Sequence, residues 1–195
     1  MINIAIFASG SGTNAERLFE KFARHPRGRV AVLLTNKSQA GVIARAKRFG
    51  VPVIVFTKQE LASTDAVLAH LAQHSVHLIV LAGFLLKIPP KLIQTYPDRI
   101  INIHPALLPA YGGAGMYGQR VHEAVVAAGE TETGISIHYV NEHYDEGRII
   151  RQERCAVLPT DSPEGVAARV HRLEHQHYPE VVAELVDRLA SDQSS

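Results

Sequence analysis

The chain has 195 residues, 46% of them apolar, which is enough for one domain with a continuous core. Its 20 Lys and Arg stand against 19 Asp and Glu, a formal charge of +1 with no long run of either sign, which argues against a general nucleic-acid surface. Cys155 is the single cysteine and cannot form an internal disulfide, and the first residues lack the pattern of a secretory signal, so the expected setting is reducing and cytoplasmic, away from any membrane.

Short β-rich runs alternate with helical spacing from the N-terminus onward, the pattern of an α/β fold with a mostly parallel sheet. Strands are predicted at residues 2–8, 29–35, 51–56, 77–82 and 99–103. Between them, apolar residues recur at three and four over Ala15 to Arg24, Ala40 to Arg48 and Gln59 to His74, which reads as crossover helices. The run Leu78 to Ala82 is far too short to cross a bilayer. After residue 130 two strands, Gly134 to Val140 and Arg148 to Leu158, are joined by a polar stretch and read as an antiparallel pair. A terminal helix starts at Pro163 and is expected to break or kink at Pro179 before a further amphipathic turn or two to Leu189. The expected organisation is one domain over 1–190 and a loose tail over 191–195.

Strand one ends in Ser9-Gly10-Ser11-Gly12-Thr13-Asn14-Ala15 and runs directly into a helix. Glycines let backbone approach an anion, and helix N-terminal N–H groups face it with the positive end of the dipole, so a phosphate site is the natural reading. The spacing Gly10, Gly12, Ala15 also satisfies a dinucleotide fingerprint. That fold wants an acidic residue at the end of strand two, where this chain has Leu34-Thr35-Asn36-Lys37. A tight turn that binds nothing is the bland alternative.

Strand five carries Asn102-Ile103-His104-Pro105, and alternation puts Asn102 and His104 on one face. An amide donor and an imidazole two residues apart suit acyl transfer, one stabilising an oxyanion and the other carrying a proton. The polar loop Asn141 to Gly147 supplies carboxylates, and one placed beside His104 would favour its protonated form. A satisfied strand-end histidine and a turn of surface acids fit these residues equally well.

Taken together, Ser9-Gly10-Ser11-Gly12-Thr13-Asn14, Leu81-Ala82-Gly83-Phe84, Ile101-Asn102-Ile103-His104-Pro105-Ala106-Leu107-Leu108-Pro109, Asp145-Glu146-Gly147 and Glu174-His175 occur in an order that resembles the folate-dependent glycinamide ribonucleotide formyltransferase family of purine synthesis. The resemblance spans nearly the whole chain. It implies a three-layer α/β/α, Rossmann-like formyltransferase fold with a C-terminal antiparallel strand pair and terminal helix. It makes Asn102, His104 and Asp145 the catalytic trio. Gly12, Thr13 and Asn14 would hold the ribonucleotide phosphate, with His171 near it where the family often has lysine, and Glu174 would bond the ribose. The pterin of 10-formyltetrahydrofolate, a co-substrate and not a bound cofactor, would lie against Leu85, Leu86 and Ile88, with Asn141 and Tyr144 closing the pocket. No metal, nucleic acid or membrane partner is implied, and the protein would be a monomer or a homodimer.

This chain departs from the family in carrying Leu85-Leu86-Lys87 where a Met-Arg pair is common, and a longer glycine-rich loop from Tyr111 to Gly118. His171-Arg172-Leu173-Glu174-His175 also matches a zinc-peptidase pattern, which would need a third ligand. Relatives that hydrolyse formyltetrahydrofolate or formylate methionyl-tRNA carry extra domains, and the length disfavours them. A folate- or nucleotide-binding module without catalysis is the remaining alternative.

Overall fold

The structure, a computed structural model, describes residues 1–193. Along these residues run β1 (Ile2–Phe7), α1 (Thr13–Phe22), β2 (Gly28–Thr35), α2 (Val42–Arg48), β3 (Val53–Val55), α3 (Lys58–Ser63), α4 (Asp65–Gln73), β4 (Leu78–Leu81), α5 (Pro90–Thr95), β5 (Ile100–His104), α6 (Gln119–Ala127), β6 (Glu132–Tyr139), β7 (Ile149–Ala156) and α7 (Pro163–Asp192). The strands lie where the sequence places them. The chain divides into two compact units, Met1–Ile101 with the chain from Pro179 onward, and Asn102–Tyr178. The division passes through β5 and α7.

In the first unit the strand order is β3-β2-β1-β4, followed by the start of β5. β1 runs parallel to both β2 and β4, and β2 runs parallel to β3. All six residues of β1 are buried, as a continuous apolar run in the middle of a parallel sheet must be. Its polar member, Asn3, is satisfied by the carbonyls of His74 and Ser75 and by Arg29. α1 buries Ala15, Leu18, Phe19 and Phe22, the three-and-four spacing of one helical face.

The single helix expected over Gln59 to His74 is two. A reciprocal capping box between Thr57 and Glu60 starts α3, and Thr64 ends it in the left-handed region at φ 69°. The Ser63 and Thr64 hydroxyls donate to the carbonyls of Glu60 and Leu61, competing with the backbone ladder and favouring the break.

In the second unit β6 and β7 pair antiparallel, with a register shift between Ile137 and His138. This local pairing makes the unit compact in itself. α7 runs without interruption through Pro179, where a break or kink was expected. Proline removes one backbone donor, but Tyr178, Val181 and Val182 on either side are fully buried, and that burial sustains the helix. Ser191 and Asp192 are helical too, so the loose tail does not start at Ser191; residues 194 and 195 lie outside the described residues.

Gly12 carries a requirement in the first unit. It sits at φ 80°, and a Cβ there would lie 2.4 Å from Val42 Cγ2. Gly12→Ala is expected to lower the thermal midpoint by roughly 4–10 °C, from the sum of backbone strain and overpacking. A melting curve checks it, and an unchanged midpoint would show that the α1–α2 packing yields.

Candidate active site

Asn102 and His104 share a face of β5, and both meet groups delivered by β6 and the loop after it. Asn102 Nδ2 is 3.2 Å from His138 Nε2, and His138 Nδ1 is 2.9 Å from the Tyr139 carbonyl. A carbonyl only accepts, so His138 Nδ1 carries a proton. Asp145 lies between two imidazoles, Oδ2 3.6 Å from His104 Nδ1 and Oδ1 3.6 Å from His138 Nε2. These spacings are longer than an ordinary hydrogen bond. The structure therefore brings the three expected residues together, all within the second unit, and adds His138.

Backbone geometry holds this arrangement. Ser136 donates to the Ala106 carbonyl and accepts from the Leu108 N–H and Gln152, which fixes the chain just beyond His104. The register shift at Ile137/His138 turns the His138 ring toward Asn102. Asp145 itself is left-handed at φ 56°, and Gly147 approaches Tyr139 so closely that a Cβ would lie 1.6 Å from its carbonyl oxygen. No side chain fits at 147 without moving the loop that carries Asp145.

The electrostatics correct one expectation. Burial lowers the pKa of His104; the Asp145 charge and the Tyr111 carbonyl raise it without overcoming the burial, and His138 adds to the lowering. His104 is thus neutral near pH 7 and is not held charged by Asp145. Burial disfavours ionised Asp145, yet His138, His104 and the Gly113 N–H outweigh it and keep the carboxyl below its usual range. The resting pair is a carboxylate facing a neutral imidazole.

The glycine turn belongs to the first unit. Gly12 caps α1, whose first N–H groups have no intrahelical acceptor. Nearby, the Ser9 hydroxyl donates to Asn36 Oδ1 at 2.6 Å and accepts the Leu85 N–H at 3.1 Å. Asn36, which occupies the place of a dinucleotide fold's ribose acid, is engaged in this link. Of the expected folate residues, Leu85 is exposed, Leu86 half-buried and Ile88 buried in the core. In the second unit, Tyr144 is exposed and Asn141 accepts the His143 N–H in a local turn.

Residues 2–182 match the family model described as formyl transferase. The chain belongs to the formyl transferase family. It is 42% identical over 190 residues to the chloroplastic phosphoribosylglycinamide formyltransferase of Arabidopsis thaliana, covering 94% of this chain but only 65% of that relative. The chain thus spans a little under two thirds of the plant protein's length. It is 38% identical over 191 residues to phosphoribosylglycinamide formyltransferase of Bacillus subtilis, covering 95% of each. The crystal structure of phosphoribosylglycinamide formyltransferase from Anaplasma phagocytophilum superposes with a TM-score of 0.88 at 31% identity, over 95% of this chain and 87% of that one. The Rossmann-like formyltransferase fold expected from the motifs is the fold this family member has.

The α7 residues form a separate group within the second unit. Glu174 is buried, and burial together with its charge pushes the Tyr178 phenol well above its ordinary range. His171 is exposed and stacks on His175 with ring centroids 6.4 Å apart, while buried His122 of α6 meets His171 edge-on at 6.2 Å. Among the described residues no three His, Cys, Asp or Glu side chains group as metal ligands, so the zinc-peptidase pattern lacks its third member there.

Two residues escaped the sequence reading. His138 had a signal: with Gly134 and Ser136 it forms the polar face of a strand whose other face is Ile135 and Ile137. His122 had none, because it lies on a helix face with Val121 and Val125 nearby in sequence. Burial, reinforced by His171 and His104, lowers its pKa from 6.5 to about 4. The unfolded chain takes up a proton there as pH falls through 6.5 and the folded chain does not until about 4, so stability present above 6.5 is lost on acidification. Urea denaturation at pH 7 and pH 4 is expected to show about 3 kcal/mol less acid loss for His122→Gln than for the parent protein. Equal losses would remove His122 as the source.

Proposed function

We propose that this chain transfers the formyl group of 10-formyltetrahydrofolate to the amine of glycinamide ribonucleotide, giving N-formylglycinamide ribonucleotide and tetrahydrofolate in purine synthesis. The observation that carries the reading is the Asp145 carboxylate set 3.6 Å from His104 and from His138, beside Asn102, in a formyl transferase family member. The resemblance to the Bacillus subtilis relative over 95% of its length supports the choice of acceptor.

In this reading the amine attacks the formyl carbon, and the carbonyl oxygen becomes an oxyanion that the Asn102 amide meets. Neutral His104 takes the proton that the attacking nitrogen sheds, and Asp145 stabilises the imidazolium so formed. The proton then passes to the folate nitrogen as the carbon–nitrogen bond to folate breaks. Gly12, Thr13, Asn14, His171 and Glu174 bind the ribonucleotide in this reading, and Leu85, Leu86, Ile88, Asn141 and Tyr144 bind the folate. The folate is consumed, and no resident cofactor or metal has a part in the scheme. The proposed setting is the cytoplasm; no helix among the described residues is long and apolar enough to cross a membrane.

Incubating the protein with both substrates is expected to yield formylated ribonucleotide, with His104→Ala and Asp145→Asn each lowering kcat by about 100-fold or more. Full activity in both variants would refute the mechanism. Running the assay without the amine separates the alternatives, since folate deformylated at an undiminished rate would mark a hydrolase.

A further inference from the structure

We infer that Tyr111 and Glu130 are positioning residues for His104: the Tyr111 carbonyl decides which imidazole nitrogen carries the proton, and Glu130 holds Tyr111 where it can do so. The inference rests on the reading of His104 as the proton carrier in formyl transfer, and all the residues it uses lie in the second unit.

His104 Nε2 is 2.7 Å from the Tyr111 carbonyl oxygen. That oxygen only accepts, so Nε2 bears hydrogen and the neutral ring leaves its lone pair on Nδ1, the nitrogen facing Asp145. The opposite tautomer would set a bare nitrogen against a carbonyl oxygen 2.7 Å away, whereas the selected one sets its bare nitrogen 3.6 Å from the Asp145 carboxylate, the looser of the two contacts. The selected one provides a base at Nδ1, and once protonated there the ring gains Asp145 as a partner. The groups facing this imidazole are Asp145 from the loop after β6, His138 from β6 and His122 from α6.

The carbonyl owes its direction to an uncommon backbone state. Tyr111 has φ 55°, a left-handed conformation that side-chain-bearing residues seldom adopt and that surrounding contacts must maintain. Its phenol donates to Glu130 Oε1 at 2.7 Å, and that bond to a carboxylate raises the phenol pKa and keeps the donor proton in place. Glu130 is anchored in turn: it follows Gly129, left-handed at φ 67°, and its N–H returns to the Val125 carbonyl at the end of α6. Two residues past Tyr111, the Gly113 N–H donates to Asp145 Oδ2 at 3.0 Å. One short stretch of backbone therefore accepts from His104 and donates to Asp145.

The test uses Tyr111→Phe, Glu130→Ala and Glu130→Gln, the last keeping an acceptor for the phenol. Ring nitrogen shifts of His104 are measured by NMR in the substrate-free protein, and kcat and KM are measured for both substrates. Expected are a proton on Nε2 in the parent protein, mixed tautomers in Tyr111→Phe and Glu130→Ala, a kcat in those two lowered by roughly tenfold with KM within about twofold, and near-parental behaviour in Glu130→Gln. A parental His104 protonated on Nδ1 would overturn the inference, as would parental tautomer and kcat in both Tyr111→Phe and Glu130→Ala. If the parent protein transfers no formyl group while the ring shifts respond as expected, positioning stands and the transfer reading fails.

Discussion

A carboxylate removed from bulk water must be compensated, and in this protein the compensation of Asp145 organises everything around it. Two imidazoles and one backbone N–H surround the group, and its carboxyl stays below the usual range despite the cost of burial. Each has its own structural source: His104 from the end of β5, His138 from a register shift in β6, and Gly113 from a glycine-rich loop. The left-handed turn at Asp145 and the close approach of Gly147 to Tyr139 set where the carboxylate sits. The ionised state and the backbone path are one design, since changing the path would strip the charge of its partners.

The first unit solves a different problem, that of ending several parallel strands at one edge with their polar groups satisfied. Ser9 does this with a single hydroxyl, donating to Asn36 just after β2 and accepting from Leu85 just after β4. Its own N–H reaches the Gly83 carbonyl. The glycine turn then departs from a fixed point. Gly12 lies against Val42 at a distance that admits no side chain, so the start of α1 is set by contact as well as by conformation.

Elements governed by periodic burial were legible in the sequence. The strands announced themselves through apolar runs, and Asn102 and His104 through alternation within one. The turn at Gly12 was legible because glycine between a strand and a helix has few other uses. Thr64 was not, since the left-handed break depends on two hydroxyls turning back to carbonyls that any helix offers. Nor was the continuity of α7 through Pro179, where burial of the flanking residues outweighs a local rule. The charge of His104 was misjudged because a nearby carboxylate is visible in sequence and the depth of burial is not. The acceptor of its proton was hidden most completely, because every residue has a carbonyl and only the folded path shows that Tyr111's points at the ring.

The division of the chain at Ile101/Asn102 and again at Tyr178/Pro179 has a consequence for how the molecule is assembled in time. The unit bearing Asn102, His104 and Asp145 is one uninterrupted stretch, whereas the unit bearing the glycine turn is interrupted by it and takes Val181, Val182 and Val186 into its core from the far end of the sequence. Synthesis from the N-terminus therefore delivers the later-starting unit whole while the earlier-starting one still lacks its closing helix. Of the two units, the one begun earlier is the one completed later.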